Sequence, residues 1–234
     1  MTPRRLTPEK LDSLPPDSAE AQHSRRDLWR LNALMRHRGD WLRWWRRTFP
    51  HGPPDRIAEL GAGDGRLLSH ALLAAFPNGG NGSRVTFVDL HPCLDPAVVP
   101  SLTDAGWTPE VIPADVFRWL ADGPAQSAIV ANLFLHHFDD AALCTLLQLA
   151  ARKCRRFRAL EPHRSRFGLL ACRLLPLIGC HPVTLHDARV SVEAAFRSAE
   201  LTTLWPAAGW RTFEAHLPPF GHVFEATATP PSLP

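Results

Sequence analysis

The chain has 234 residues, 45% of them hydrophobic and 21% charged, with a formal net charge of +3. That length suits one α/β domain with additions and a substantial core, and the balance is that of a globular soluble chain. So small a positive charge does not by itself imply nucleic-acid binding. Cys93, Cys144, Cys154, Cys172 and Cys180 form no C-x-x-C pair and are odd in number. Neither a zinc site nor a disulfide framework is indicated, no metal is expected, and a reduced, cytoplasmic setting is the natural reading. Met1 to Pro8 lack an apolar secretion core, and the nearest approach to a membrane span is broken by Arg173 and Pro176.

Residues 1–20 are rich in Pro, Ser and charge and read as a flexible tail unless docked. From Ala21 the pattern turns helical: Leu28, Leu31, Leu34 and Met35 recur at helical spacing, with Gly39 ending the segment. A second short helix, Asp40 to Phe49, interleaves Trp41, Trp44 and Trp45 with Arg43, Arg46 and Arg47, before Pro50, Gly52, Pro53 and Pro54 stop it. Residues 21–52 thus read as an N-terminal helical cap. Its arginines and aromatics permit three readings: nucleic-acid binding, an anionic membrane surface, or tryptophans packed on the domain with solvated arginines.

Ile57 to Leu60 reads as the end of a buried strand, Gly61, Gly63 and Gly65 as a tight turn, and Leu67 to Phe76 as an apolar helix. A dinucleotide-binding loop spaces its glycines G-x-G-x-x-G, leaving room for a pyrophosphate. Here the spacing is G-x-G-x-G, preceded by the acidic Glu59. That stretch, Glu59 to Gly65 with Ala62 inside it, resembles motif I of the class I S-adenosylmethionine-dependent methyltransferases. In that family the glycine turn lies against the amino-acid end of the cofactor. Read without the resemblance, a ligand-free strand-to-helix turn stays open.

Arg84 to Asp89 reads as a second strand ending in a carboxylate, about twenty residues past the glycines. In nucleotide-type folds such a carboxylate accepts from both ribose hydroxyls, which makes Asp89 and the adjoining Leu90 cofactor candidates; alone, Asp89 is a turn or cap residue. Leu94 to Gly106 reads as an irregular helix. Pro109 to Ile112 is a short strand, followed by Asp115 and Val116. The resemblance implies that Asp115 bonds the adenine amino group and that the Val116 amide meets the ring, while residue chemistry equally allows Asp115 to cap a helix.

Ser127 to Asn132 forms a fourth strand with exit loop Leu133 to Phe138, and Asp139 or Asp140 caps the next helix. Ligands of open α/β sheets lie at the strands' carboxyl ends, so the resemblance puts the methyl group here, with Asn132 in the motif IV position. Asn132-Leu133-Phe134-Leu135 is not the D/N-P-P-Y/F of methyltransferases acting on base amino groups, and no Pro-Cys nucleophile follows this strand. Phe157 to Glu161 is the fifth strand. An apolar helix then runs from Phe167 to about Ile178, a loop from Gly179 to Arg189, and another helix begins at Ser191, with Ser191 its cap. Trp210–Leu217 and Gly221–Thr227 read as a closing antiparallel pair.

The resemblance covers about Arg56 to Thr227. It implies an α/β, Rossmann-like class I methyltransferase fold: a seven-stranded, mostly parallel sheet ending in an antiparallel hairpin, here with a helical cap. The expected divisions are a tail (1–20), the cap (21–52) and a cofactor-binding domain (53–229) with a substrate lid at 164–190. More narrowly, Leu133 to Asp140, Arg164 to Leu169 and Arg189 to Phe196 look like small bacterial methyltransferases encoded beside chalcone-synthase-like polyketide synthases and credited with methylating phenolic or quinone products. Asn132 departs from the Ser or Cys usual there. The function so implied is methylation of a small aromatic or polyketide-type molecule by a monomer or homodimer without nucleic acid. A nucleic-acid or protein methyltransferase, and a catalytically silent partner-binding fold, are the alternatives. Histidine suits removal of a phenolic proton, so His136 and His137, past the methyl-bearing strand end, are the candidate bases, ahead of His163 and His186.

Overall fold

A computed structural model of the chain describes residues 3–15 and 17–229. In chain order its elements are α1 (Ala19–Leu34), α2 (His37–Thr48), β1 (Arg56–Leu60), α3 (Arg66–Ala75), β2 (Arg84–Asp89), α4 (Val98–Asp104), β3 (Thr108–Pro113), α5 (Val116–Asp122), β4 (Gln126–Asn132), α6 (Asp140–Lys153), β5 (Cys154–Pro162), α7 (Arg166–Cys172), α8 (Pro182–Ala194), α9 (Glu200–Leu204), β6 (Trp210–Leu217) and β7 (Gly221–Ala228). The strands make one sheet in the order β3-β2-β1-β4-β5-β7-β6. β1 to β5 run parallel and β7 lies antiparallel between β5 and β6. The seven-stranded sheet and its terminal hairpin are those the resemblance implies.

Burial follows from that order. Ile57 to Leu60 is buried throughout, as expected of a central strand covered on both faces. β3 tolerates Pro109 and Pro113 because it is an edge strand, where a missing N–H costs little. One face of the sheet packs Leu120, Leu143, Leu146 and Leu147 from α5 and α6. The other packs Trp45, Leu68, Leu72 and Leu102 from α2, α3 and α4.

The helical cap breaks earlier than its sequence suggests. Arg36 takes a left-handed conformation (φ 62°) after α1 closes at Met35, so Gly39 lies inside α2 instead of ending α1. Of the three readings of the Arg/Trp helix, packing holds. Trp41, Trp44 and Trp45 are buried, and Arg158 of β5 sits beneath Trp41 and Trp44 (5.1 and 5.4 Å to the ring centroids) while pairing with Asp40 and Glu225. Arg43 and Arg47, mostly exposed, pair with the same two carboxylates, and Arg46 donates to the Ala74 carbonyl.

The C-terminal third departs further. The single apolar helix expected over 167–178 is α7, capped by Ser165, then a 3-10 turn over Leu175–Ile178, with Pro176 as the break. The loop expected at Gly179–Arg189 is instead the first two turns of α8, opened by His181 as cap and Pro182 at its first position. Ser191 therefore sits inside a helix and caps nothing. The inward face of α8 is polar, which hid its period: Thr184 Oγ1 bonds Ser24 and Asp27, and Asp187 accepts from the Lys10 and Leu11 amides. Those amides belong to the segment read as a mobile tail unless docked, and it is docked. Arg5 N donates to Glu193 O (3.1 Å), and Arg4 donates to Ala194 O and Phe138 O (2.8 and 2.9 Å). Among the described residues no helix is long and apolar enough to cross a membrane.

Candidate functional site

One cavity of about 1080 Å³ opens at the carboxyl ends of β1, β2 and β4, where ligands of open α/β sheets lie. The α1 helix, the 3–15 segment, α7 and α8 close it from above. Every cofactor candidate read from the sequence lines it except Gly65, as do the two leading base candidates His136 and His137. A Cβ on Gly65 would meet Leu94 and Phe87 at 3.2 Å, so that glycine serves packing under the turn and the start of α3. His163 and His186 are also absent from the lining, leaving His136 and His137 as its candidate bases.

The other two glycines differ in what they accommodate. A Cβ on Gly61 would fall 2.1 Å from the Phe134 ring, so the close approach of the β4 exit loop requires glycine there. Gly63, at φ +54°, has nothing within 4 Å of its missing Cβ, and a side chain would occupy cavity space. Asp89 steadies this turn: its Oδ2 accepts from Gly63 N and its Oδ1 from His91 N, both at 2.9 Å. Each carboxylate oxygen keeps lone-pair capacity toward the cavity that Asp89 and Leu90 line. Ala62 completes the turn beside them.

Glu59 is 5% exposed, and its Oε2 is buried without a partner among the described residues. Burial, reinforced by Asp64 and Asp89, pushes its pKa well above the usual carboxylate range. Asp115 caps α5, its Oδ1 accepting from Phe117 N and Arg118 N at 2.9 and 3.0 Å, so the cap reading holds while Asp115 and Val116 also border the cavity. Asn132 is turned toward the helical cap. Its Oδ1 accepts from Trp41 Nε1 (3.3 Å), and its Nδ2 donates to Asn32 Oδ1 (3.2 Å), which also meets His37 Nδ1 at 3.0 Å.

Beyond β4 the chain turns at Leu133, a non-glycine residue at φ +54°, a conformation that costs about 1–3 kcal/mol and needs surrounding structure to hold it. Glu161 at the end of β5 supplies that structure. Its Oε1 accepts from the amides of Phe134 and Leu135 (3.0 and 2.8 Å), and its Oε2 meets His136 Nδ1 at 2.6 Å. On its other side His136 Nε2 lies 3.2 Å from Glu9 Oε1. Burial pulls the His136 pKa down, but Glu161 and Glu9 more than offset that and push it up to about 10. Burial raises Glu9, and the two histidines overcome it, holding that carboxyl below its ordinary range.

His136 therefore has both ring nitrogens committed to carboxylates, an arrangement unsuited to taking a proton. His137 is more open: Nδ1 bonds the Phe134 carbonyl at 2.8 Å, and Nε2 lies 3.6 Å from Glu9 Oε2 and 3.7 Å from Asp12 Oδ2. Glu9, Asp12, Glu161 and Asn32 were not singled out in the sequence. Glu161 ends a strand beside the His-His pair and was within reach of inspection; Glu9, 127 residues from its partner, carried no local signal.

These residues fit S-adenosylmethionine. The unpartnered Glu59 oxygen would meet the ammonium of its amino-acid end, the space at Gly63 admits it beside the backbone, and Asp89 offers acceptors for ribose hydroxyls.

No protein-family model matches the chain, and no curated protein matches its sequence. Solved structures do. The plantazolicin methyltransferase BpumL, in complex with SAH, superposes with a TM-score of 0.64 at 11% identity over 91% of each chain. The pyocyanin biosynthetic protein PhzM gives 0.61 at 17% identity, over 94% of this chain but 62% of PhzM. Magnesium protoporphyrin IX methyltransferase (ChlM) from Synechocystis PCC 6803, with bound SAH, gives 0.51 at 13% identity over 83% of each. At these identities the likeness is one of fold, and the fold is that of the class I methyltransferases.

Proposed function

We propose that this chain, built on the class I methyltransferase fold, is an S-adenosylmethionine-dependent methyltransferase acting on a small molecule, with an oxygen of a phenolic, quinone-derived or polyketide-type compound as acceptor. The observation that carries the reading is the cavity itself. It brings the open space at Gly63, the unpartnered Glu59 oxygen, Asp89 and the β4 exit loop onto one surface, with apolar α1 and α7 residues such as Leu28, Leu31 and Cys172 opposite. Mostly apolar walls with a few placed polar groups suit an aromatic ligand. Among the solved neighbours, the plantazolicin methyltransferase BpumL is seen in complex with a triazolic desmethylPZN analog and SAH, which agrees with a small-molecule acceptor.

Glu59, Gly61, Ala62 and Gly63 would hold the amino-acid end of the cofactor, Asp89 and Leu90 its ribose, and Asp115 and Val116 its base. When bound, S-adenosylmethionine supplies a methyl group on a sulfonium, open to in-line displacement. The chain's task is then to hold the acceptor oxygen in line, an arrangement worth about 7–11 kcal/mol. Proton removal from that oxygen falls to the Glu9–His136–His137 cluster on the cavity wall, where His137 Nε2 is the open nitrogen. The docked 3–15 segment and α1 exclude water from the same space.

The nucleic-acid alternative loses its support once the tryptophans of α2 are inside the core, and a silent fold has no use for the space kept at Gly63. Calorimetry with S-adenosylmethionine, followed by methyl-transfer assays over a panel of polyhydroxyarenes, tests the reading. Saturable binding with turnover on at least one arene is expected; absence of cofactor binding overturns it.

A further inference from the structure

Two imidazoles and two carboxylates converge where the N-terminal segment crosses the cavity. His136 Nε2 lies 3.2 Å from Glu9 Oε1, and His137 Nε2 lies 3.6 Å from Glu9 Oε2 and 3.7 Å from Asp12 Oδ2. One potential ligand atom from each of Glu9, His136 and His137 falls within 4.8 Å of the others. Tetrahedral bonds of about 2.0–2.2 Å separate ligand atoms by roughly 3.4 Å. Each histidine reaches one Glu9 oxygen near that spacing, and the set as a whole closes onto one ion with a small side-chain adjustment.

The groups behind these atoms are arranged as for metal ligation. His137 Nδ1 faces the Phe134 carbonyl, which only accepts, so Nδ1 keeps its proton and Nε2 is the nitrogen left for an ion. Behind His136, Glu161 is bonded to Nδ1, and Glu161 is itself fixed by two backbone amides. A carboxylate or carbonyl on the far nitrogen is how ligating histidines are oriented and made more basic. The two rings stack at 4.4 Å, and the Ser191 hydroxyl donates to Glu9 from α8. Once an ion displaces the Nε2 protons, Glu9, Asp12 and Glu161 leave the cluster with an excess of negative charge beside the cavity, which a divalent cation offsets.

We propose that Glu9, His136 and His137, with Asp12 beside them, form a binding site for one divalent transition-metal ion of the zinc type on the wall of the acceptor cavity. Mixed imidazole and carboxylate donors select zinc or a similar first-row ion over magnesium or calcium, which take all-oxygen shells. Three protein ligands leave a position for a water or acceptor oxygen, and all four side chains line the cavity. The ion would also join the segment before α1 to the loop after β4, pinning the segment in its docked position. The ion and the acceptor's proton would compete for His137 Nε2, so the base proposed above belongs to the metal-free form; the zinc site stands or falls without methyl transfer, and the test uses no cofactor.

The full chain, treated with chelator and exchanged into metal-free buffer, is titrated with zinc by calorimetry and with cobalt(II) followed by visible absorption. One equivalent of zinc is expected, with a cobalt spectrum free of thiolate charge transfer. Zinc should also slow proteolysis within residues 3–15. Glu9→Gln should weaken zinc binding by about tenfold or more, by the measure of what even supporting groups contribute, and His137→Asn should do the same. Glu9 lies outside every strand and helix, so its variant reports binding even if the histidine variant folds poorly. Cys93→Ser/Cys172→Ser, which removes both thiols lining the cavity, should bind zinc as before. Absence of saturable zinc binding, retention of full affinity in Glu9→Gln, or a thiolate-type cobalt spectrum would each overturn the site.

Discussion

Glu59 is under opposing demands: its burial disfavours charge, while its place in the cavity wall suits a cationic group. Unfolded, it ionises near 4.5; folded, only well above that. Below its unfolded value neither state is charged and the group costs nothing. As pH climbs past it the unfolded chain releases a proton that the folded chain keeps, a loss of about 1.4 kcal/mol per pH unit until the folded pKa is reached. Melting temperatures of the cofactor-free Glu59→Gln variant should therefore exceed those of the wild type by a margin that grows as pH rises above 4.5, while its affinity for S-adenosylmethionine falls. A constant margin would mean that Glu59 is ionised in the fold. At Gly63 the expectation is steric, since valine would fill the space and abolish cofactor binding; unchanged calorimetric affinity would remove the glycine turn from the site. Asp89→Ala should weaken binding by about 1.5–3 kcal/mol, the range for hydrogen bonds to a charged group. For the histidines the two outcomes differ. His137→Ala should lower turnover by about 10²–10⁴-fold with little effect on cofactor affinity. His136→Ala should act on stability, because it strands the buried Glu161 carboxylate, a change of about 3–5 kcal/mol.

Helix α2 and strand β5 are fastened by a buried charge. Arg158, 3% exposed, faces Asp40 and Glu225 under two indole rings, so Arg158→Met leaves both carboxylates with only the exposed Arg43 and Arg47. Denaturant unfolding should show a loss of about 3–5 kcal/mol, and Trp45→Ala, which empties a fully buried site, a similar one. Elements of this kind decide what the sequence can disclose. Arg84 to Asp89, with its buried run ending in a carboxylate, is legible to the residue, and so is the hairpin strand Trp210–Leu217. Helix α8 is not: Thr184 and Asp187 face inward to meet Ser24, Asp27 and the Lys10 and Leu11 amides, so polar residues occupy the positions where an apolar period would be sought. Likewise Gly65 belongs to a motif whose other glycines border the cavity, yet what it must avoid is Leu94 and Phe87, which only the packed structure brings near.

Across the whole molecule, the basic residues of the Arg/Trp segment serve the fold, and the net charge of +3 is small. Gel-shift titration at about 0.15 M salt should reveal no nucleic-acid binding; a complex that forms at submicromolar protein and dissolves as salt rises would carry the signature of phosphate contacts and favour a nucleic-acid substrate. The legible half of the molecule is the half built from local sequence, the strand–turn–helix units of the sheet. The roof of the cavity is assembled from distant pieces. Arg4 reaches Phe138 and Ala194, Arg5 reaches Glu193, and Glu9 reaches His136 and Ser191. This has an order in time. A chain that emerges N-terminus first offers residues 3–15 long before α8 exists to receive them, so they must wait while the sheet forms beneath. A stretch that leaves the ribosome well before its partners is then among the last to find its place, and the cavity stays open until it does.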